Sequence, residues 1–271
     1  MGKKQTKKKP KKKKALKMSQ SLMKMLFKYK IKEECGLVLK ARYVDNIQSP
    51  SSPAMELGNY FEYICTGDLA RDGHTPEVVL LKSGKPSTPY ARMDIQKENF
   101  DAIMKTYNLD VKHTGYVFNH SKYGGIADII AWDKENKRHI IIDVKTSGLL
   151  NDKWSEWGWA NDSIEYKDEL LIQAVHYKML FEEEFKEENV PFYFFVFSTT
   201  NEWEVKIFDI EVSEDTMHTH KMNLENAVAY FKSENKKGWK PHPTYSKCRK
   251  CALKPSCKSF IDVPLAQKVY Y

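Results

Sequence analysis

Asp128, Asp143 and Lys145 lie in two isoleucine-rich stretches, "GGIADIIAWD" (124–133) and "KRHIIIDVKTSG" (137–148), which alternate like the arms of a β-hairpin around the turn "DKENK". A charge inside such a strand is costly unless it is paired or bound to a cation. Asp143 and Lys145 are two residues apart and leave the strand on one face. Ile140, Ile142 and Val144 leave the other and can supply core. A hairpin symmetric about Glu135 and Asn136 sets Asp128 opposite Asp143, with Cβ atoms roughly 5 Å apart. Two carboxylates that close repel unless one is protonated or a cation lies between them. Mg²⁺ or Mn²⁺ with oxygen ligands is the simplest solution, and Lys145 could then hold a water and offset the charge of a phosphate. The competing reading is an exposed face with one cross-strand ion pair. Glu-Asn is not a strong two-residue turn, and a slip of one residue would separate the aspartates.

The elements that must position these residues follow from periodicity and turn signals. "MSQSLMKMLFKYKIKEEC" (18–35) has helical spacing, with Leu22, Met25, Leu26 and Tyr29 on one face. "SPSSP" (49–53) is a loop whose last proline can start a helix, expected over 54–73 and ending near Gly73. A further helix is expected over 97–108 and a strand over 114–120. A long helix follows over about 163–187, then strands in "VPFYFFVFST" (190–199) and "WEVKIFDI" (203–210), then a helix over about 213–236. This order predicts an α/β fold, a mixed central sheet flanked by helices.

Composition narrows the class. The chain has 271 residues, 41% hydrophobic and 13% aromatic, enough for a packed core. No apolar run approaches the roughly 18 residues of a membrane span, and the first residues show no secretory pattern, so a soluble, cytoplasmic protein is expected. The net charge of +8 resides in residues 1–17, which hold ten lysines and no acid; the remaining 34 basic and 36 acidic residues nearly cancel. Such a run is expected to be a disordered tail attracted to polyanions.

The pattern Asp, fourteen residues, Asp-x-Lys resembles the active-site hairpin of the PD-(D/E)xK nuclease superfamily. That resemblance implies a restriction-endonuclease-like core, with Asp128, Asp143 and the Val144 carbonyl as metal ligands and Lys145 as the catalytic lysine. Two further motifs resemble its RecB-like branch. "LIQAVHYKML" contains Gln173 and Tyr177 at i, i+4 on one helix face, similar to the Q-x-x-x-Y motif that contacts DNA or supports the site. "ELGNYFEYICTG" resembles the upstream helix that brings a His or Glu to the metal; Glu62 takes that place, with Glu56 as a fallback. Ser121, Lys122 and Thr146 are candidates for backbone contacts to a strand.

"CRKCALKPSC" supplies Cys248, Cys251 and Cys257, thiols that read as metal ligands before disulfides in a reducing compartment. With the upstream Cys35 they resemble the [4Fe–4S] staple of AddB-type and CRISPR-associated RecB-like nucleases, which fastens the N-terminal helices to the chain's end. These relatives often carry Cys-Pro where this chain has Cys35-Gly36. Zn²⁺ held by the same cysteines, or by three of them and His242, is the alternative. Cys65 is left over and is expected to be a buried thiol. The expected organisation is a tail (1–17), a nuclease domain (18–240) and a cysteine-cluster segment (241–271) packed on the N-terminal helices.

The resemblance implies a metal-dependent DNA nuclease of recombination and repair, in a phage, bacterium or archaeon. An exonuclease acting on DNA ends or single strands is expected ahead of a site-specific endonuclease. No G-x-x-x-x-G-K-[ST] run is present, since "KSGKPST" (82–88) does not fit, so any helicase or recombinase would be a separate partner. The rival readings are a catalytically inactive, metal-stapled DNA-binding scaffold, and an unrelated α/β enzyme carrying a zinc module.

Overall fold

In a computed structural model the described residues are 17–47, 50–68, 73, 75–160, 167–261 and 263. The lysine run up to residue 16, the expected helix start at 163–166 and the chain end from 264 lie outside them. Seven α-helices and five strands are described: α1 (Gln20–Lys30), α2 (Gly36–Tyr43), α3 (Pro53–Thr66), α4 (Thr88–Thr106), β1 (Leu109–Val117), β2 (Ile126–Asp133), β3 (Arg138–Ser147), α5 (Lys167–Phe185), β4 (Phe192–Ser198), β5 (Val205–Asp209), α6 (Glu214–Lys237) and α7 (Tyr245–Arg249). A 3₁₀ turn spans Lys254–Ser256. Among the described residues no helix is long and apolar enough to cross a membrane.

The strands form one sheet in the order β1-β2-β3-β4-β5. Neighbours are antiparallel except β3 and β4, which run parallel with α5 as their crossover. This is the mixed α/β sheet that the pattern predicts. β4 is apolar at nearly every position because it is covered on both sides. Phe192, Phe194 and Val196 join Ile141 in a core with α1, α5 and α6. Phe195 and Phe197 join Ile140, Ile142 and Val144 in a second core with α3 and α4.

Several boundaries differ from expectation, each for a local reason. The expected helix over 18–35 breaks: α1 ends at Lys30, Lys32 takes a left-handed φ of 64°, and α2 begins at Gly36. α3 starts at Pro53, capped by Ser52, but stops at Thr66 because Gly67 (φ 76°) closes on Tyr63 O, well short of Gly73. α4 begins at Thr88 behind Ser87, nine residues before the expected start, with a proline in its first turn. β1 runs over 109–117 instead of 114–120.

The hairpin register agrees with the symmetric reading, from Asp133↔Arg138 to Ile129↔Ile142. Glu135 and Asn136 do not set the turn by their own conformations. Asp133 does so, its Oδ1 accepting from the Glu135 and Asn136 amides (3.0 Å each) and its Oδ2 from Asn136 Nδ2 (2.7 Å). Lys137, at φ 52°, completes the reversal.

Candidate active site at the open end of the hairpin

The β2–β3 ladder stops at Ile129↔Ile142, one step before the two aspartates would face each other. Beyond it the Asp128 side chain reaches across, and its Oδ2 accepts a hydrogen bond from the Val144 amide at 2.9 Å. The strands therefore fork at Asp128, with a carboxylate standing where a strand carbonyl would otherwise accept. Asp128 is 9% exposed and Asp143, inside the fork on β3, only 1%.

Three groups meet Asp143. Gln173, on the face of α5 turned to the sheet, donates Nε2–H to Oδ1. The Lys145 ammonium pairs with Oδ2. The negative charge of Asp128 acts from the neighbouring strand. Burial first, and Asp128 second, push the Asp143 carboxyl above its ordinary range, against the opposing pull of Lys145. For Lys145 burial works against the charge. Asp143 and Asp128 outweigh it and hold the ammonium above its usual range.

Glu62 stands on α3 where that helix crosses the sheet. One turn earlier, a Cβ on Gly58 would lie 3.4 Å from Thr146 Oγ1 of β3, so the helix passes close to the strand that carries Asp143. The Glu62 charge is felt by Asp143, which it pushes further up. Glu56 instead acts on Tyr90. Tyr177, one turn beyond Gln173, is buried with its ring beside Phe118 and Phe192, and its hydroxyl acts on Lys145. Ser121 and Lys122 lie exposed in the bend before β2, outside this group. Asp128, Asp143, Lys145, Gln173 and Tyr177 thus converge, and Glu62 approaches from the opposite layer.

Two features of the site escape the motif reading. His176, between Gln173 and Tyr177, is fully buried; its Nε2 lies 2.9 Å from Gly124 O and its Nδ1 3.1 Å from His220 Nε2. Because the carbonyl can only accept, Nε2 carries the proton and Nδ1 accepts from His220. This chain ties α5 and α6 to the residues that lead into β2. The second is Asp68, just past α3, whose carboxylate lies against Gly115 of β1. A glycine inside a strand is a signal of close approach by another group, and it was present in the sequence.

The cysteines lie elsewhere. Cys35, Cys248, Cys251 and Cys257 line one cavity of about 520 Å³ between α2 and the segment 241–260, which shares no lining residue with the aspartates. All four are free thiols, and His242 lines the same cavity with its ring stacked on Tyr29 at 5.0 Å. Among the described residues no three His, Cys, Asp or Glu side chains converge as a ready coordination sphere. Cys65 is half-buried on α3, and burial pushes its thiol up.

No family model matches the chain, and no curated protein resembles it in sequence. Among solved structures, one from Eubacterium rectale, provisionally named an exonuclease, superposes with a TM-score of 0.62 over 93% of this chain and 91% of its own, at 15% identity. A second, of SSO0001, reaches a TM-score of only 0.31 at 13% identity over 83% of this chain, too loose to bear on the argument. The chain shares its fold with the Eubacterium rectale protein across nearly its whole length.

Proposed function

We propose that the chain is a divalent-cation-dependent nuclease of the PD-(D/E)xK superfamily, RecB-like branch, and that it degrades DNA from ends or as single strands. One observation carries this reading. Asp143 is almost wholly buried, held by Gln173 on one oxygen and by the Lys145 ammonium on the other, with the Asp128 carboxylate beside it on a forked hairpin. An ionised carboxylate in that setting is costly, and the donor set of hard oxygens fits Mg²⁺ or Mn²⁺. Asp128, Asp143, Glu62 and the Val144 carbonyl would hold the cation, which when bound would supply electrostatic stabilisation of charge developing on a phosphate. Lys145 keeps its proton in this field and serves as a hydrogen-bond donor that orients the attacking water. Gln173 fixes the Asp143 carboxylate by holding Oδ1, and Tyr177 favours the charged form of Lys145. The fold shared with a protein provisionally named an exonuclease supports the choice of reaction.

We infer that the four cysteines hold a [4Fe–4S] cluster. They line a single cavity, none is consumed in a disulfide, and Cys35 lies more than 200 residues before the other three. Closing so long a loop would fasten 241–260 to α2. Iron and sulfide analysis of protein purified without oxygen tests this: a brown protein with stoichiometric sulfide supports the cluster, a colourless one containing zinc overturns it.

The nuclease reading is tested on end-labelled single- and double-stranded DNA with Mg²⁺ or Mn²⁺, using the oxygen-free preparation. Cleavage that needs the cation and falls on the order of 10²–10³-fold in Asp143→Ala and Lys145→Ala supports the site. A folded wild type that binds DNA without cutting it, or variants that cut as well as wild type, would favour the scaffold reading instead.

A further inference from the structure

Resting on the nuclease reading, we propose that His176 is a positioning residue of the reaction. Its hydrogen bond to Gly124 O sets the place of α5 over the fork, and with it the place of the Asp143 carboxylate. Two residues of α5 already belong to the site: Gln173 donates to Asp143 Oδ1, and Tyr177 favours the charged form of Lys145. The same face of the helix meets the other arm of the fork. His176 Nε2 donates to Gly124 O at 2.9 Å, and a Cβ on Gly125 would lie 2.8 Å from Leu180 Cδ1 and 2.9 Å from Tyr177 Cε1. Gly125 leads directly into β2, and Asp128 follows three residues later. Helix α5 therefore spans both arms, resting on the entry to β2 while it holds the carboxylate of β3.

The contacts of Tyr177 and Leu180 with Gly125 are apolar and non-directional, so they press the helix down without fixing it along its axis. A hydrogen bond to a backbone carbonyl has a direction and does fix it. The Gly124 peptide is itself anchored: its amide donates to Met18 O at 2.9 Å, and the Met18 amide donates to Lys122 O at 2.9 Å. On the other side of the ring, His176 Nδ1 accepts from His220 Nε2 at 3.1 Å, which keeps the His176 proton on Nε2, where Gly124 needs it. His176 is fully buried and His220 is 5% exposed. Two imidazoles in that core carry a desolvation cost that an apolar pair of similar volume would not. A space-filling role leaves this cost without a return. A directed bond between α5 and the entry to β2, one turn from Gln173, supplies one.

The test is steady-state cleavage of end-labelled DNA with Mg²⁺ by the full-length protein purified without oxygen. Each variant is assayed well below its own melting temperature, and rates are taken per folded molecule. His176→Leu and His176→Met remove the donor with two different shapes, His176→Gln keeps a side-chain N–H that can reach Gly124 O, and Asp143→Asn controls for the site itself. The expected result is a fall in kcat of about 10- to 100-fold in His176→Leu and His176→Met, with KM for DNA within about twofold of wild type, because a small misplacement slows the chemical step without weakening strand binding. His176→Gln should recover kcat to within about threefold of wild type, since it restores the directed bond. Three outcomes overturn the role of His176 and, with Asp143→Asn inactive, leave the nuclease site standing: wild-type kcat in either folded apolar variant, failure of both to fold, or His176→Gln as slow as they are. A wild type that does not cleave, or Asp143→Asn cleaving as well as wild type, overturns the nuclease reading, and the His176 proposal with it.

Discussion

The two ends of the β2–β3 hairpin treat a buried aspartate in opposite ways. At the closed end Asp133, 7% exposed, accepts three hydrogen bonds from the turn it organises. Burial would raise its carboxyl, but the Asn136 and Glu135 donors outweigh that cost and hold it below the ordinary range. At the open end Asp143 is more deeply buried, has one directed donor besides the Lys145 ammonium, and is pushed upward by burial and by Asp128. The residue type and the strand pair are the same; the supply of donors differs. A carboxylate given its donors is structural. One given fewer donors and set beside another carboxylate has the environment that the proposed cation site requires.

The comparison is broken most forcefully by exchanging charge for shape at each end. Asp143→Asn is expected to lower cation-dependent cleavage by roughly 10²–10³-fold. The same change relieves the repulsion with Asp128, so the chelated protein should be more resistant to urea than wild type at pH 7.5. Asp133→Asn should do the reverse, keeping cleavage while losing stability. If both variants lost stability equally, the two ends would not differ in the way described.

A second test uses pH on the chelated protein. Burial first holds His176 and His220 neutral, at about 4 and about 3. The unfolded chain takes up protons at a higher pH than the folded one, so their stability is complete above about 6.5 and is lost as pH falls toward 4. Asp143 has the opposite sign: its raised carboxyl binds a proton in the folded state first, which adds stability as pH falls. The loss between pH 7.5 and 5, on the order of 2 kcal/mol from each histidine, should therefore be steeper in Asp143→Asn than in wild type. Parallel urea midpoints across pH in the two proteins would remove Asp143 from the account.

Third, Asp133→Ala deletes all three turn hydrogen bonds and should cost about 1–3 kcal/mol, read from the urea midpoint, with cleavage per folded molecule unchanged.

How much of this was legible before the structure depends on the range of the forces involved. Asp128, Asp143 and Lys145 could be placed together because strand alternation and one symmetric turn fix them, and Ile129↔Ile142 bears out that register. The flanking sheet followed from the apolar run of β4 and the helical spacing around it. What could not be read was set by single residues with unusual backbone or by distant partners. Lys32 and Gly67 end helices whose apolar spacing continues past them. The fork at Asp128 depends on a side chain replacing a ladder carbonyl, which periodicity does not encode. Asp68 meets Gly115 across 47 residues, and His176 meets His220 across 44, so neither pair had a local signature beyond a glycine in a strand.

The smallest effect is expected from Lys137, and it separates the two ends most cleanly. Its φ of 52° is a left-handed conformation that a side chain disfavours and glycine accepts freely. Lys137→Gly should thus hold stability level or raise it by about 0.5–1 kcal/mol, the relief of that conformation being partly offset by the greater freedom of glycine in the unfolded chain. Register is held by Asp133 and by the pairs from Asp133↔Arg138 to Ile129↔Ile142, none of which involves the Lys137 side chain. The fork lies at the far end of those pairs, so cleavage and Mn²⁺ affinity should match wild type. A drop in either, without loss of fold, would mean that the turn communicates with the fork through the ladder, and that the closed end is part of the functional site.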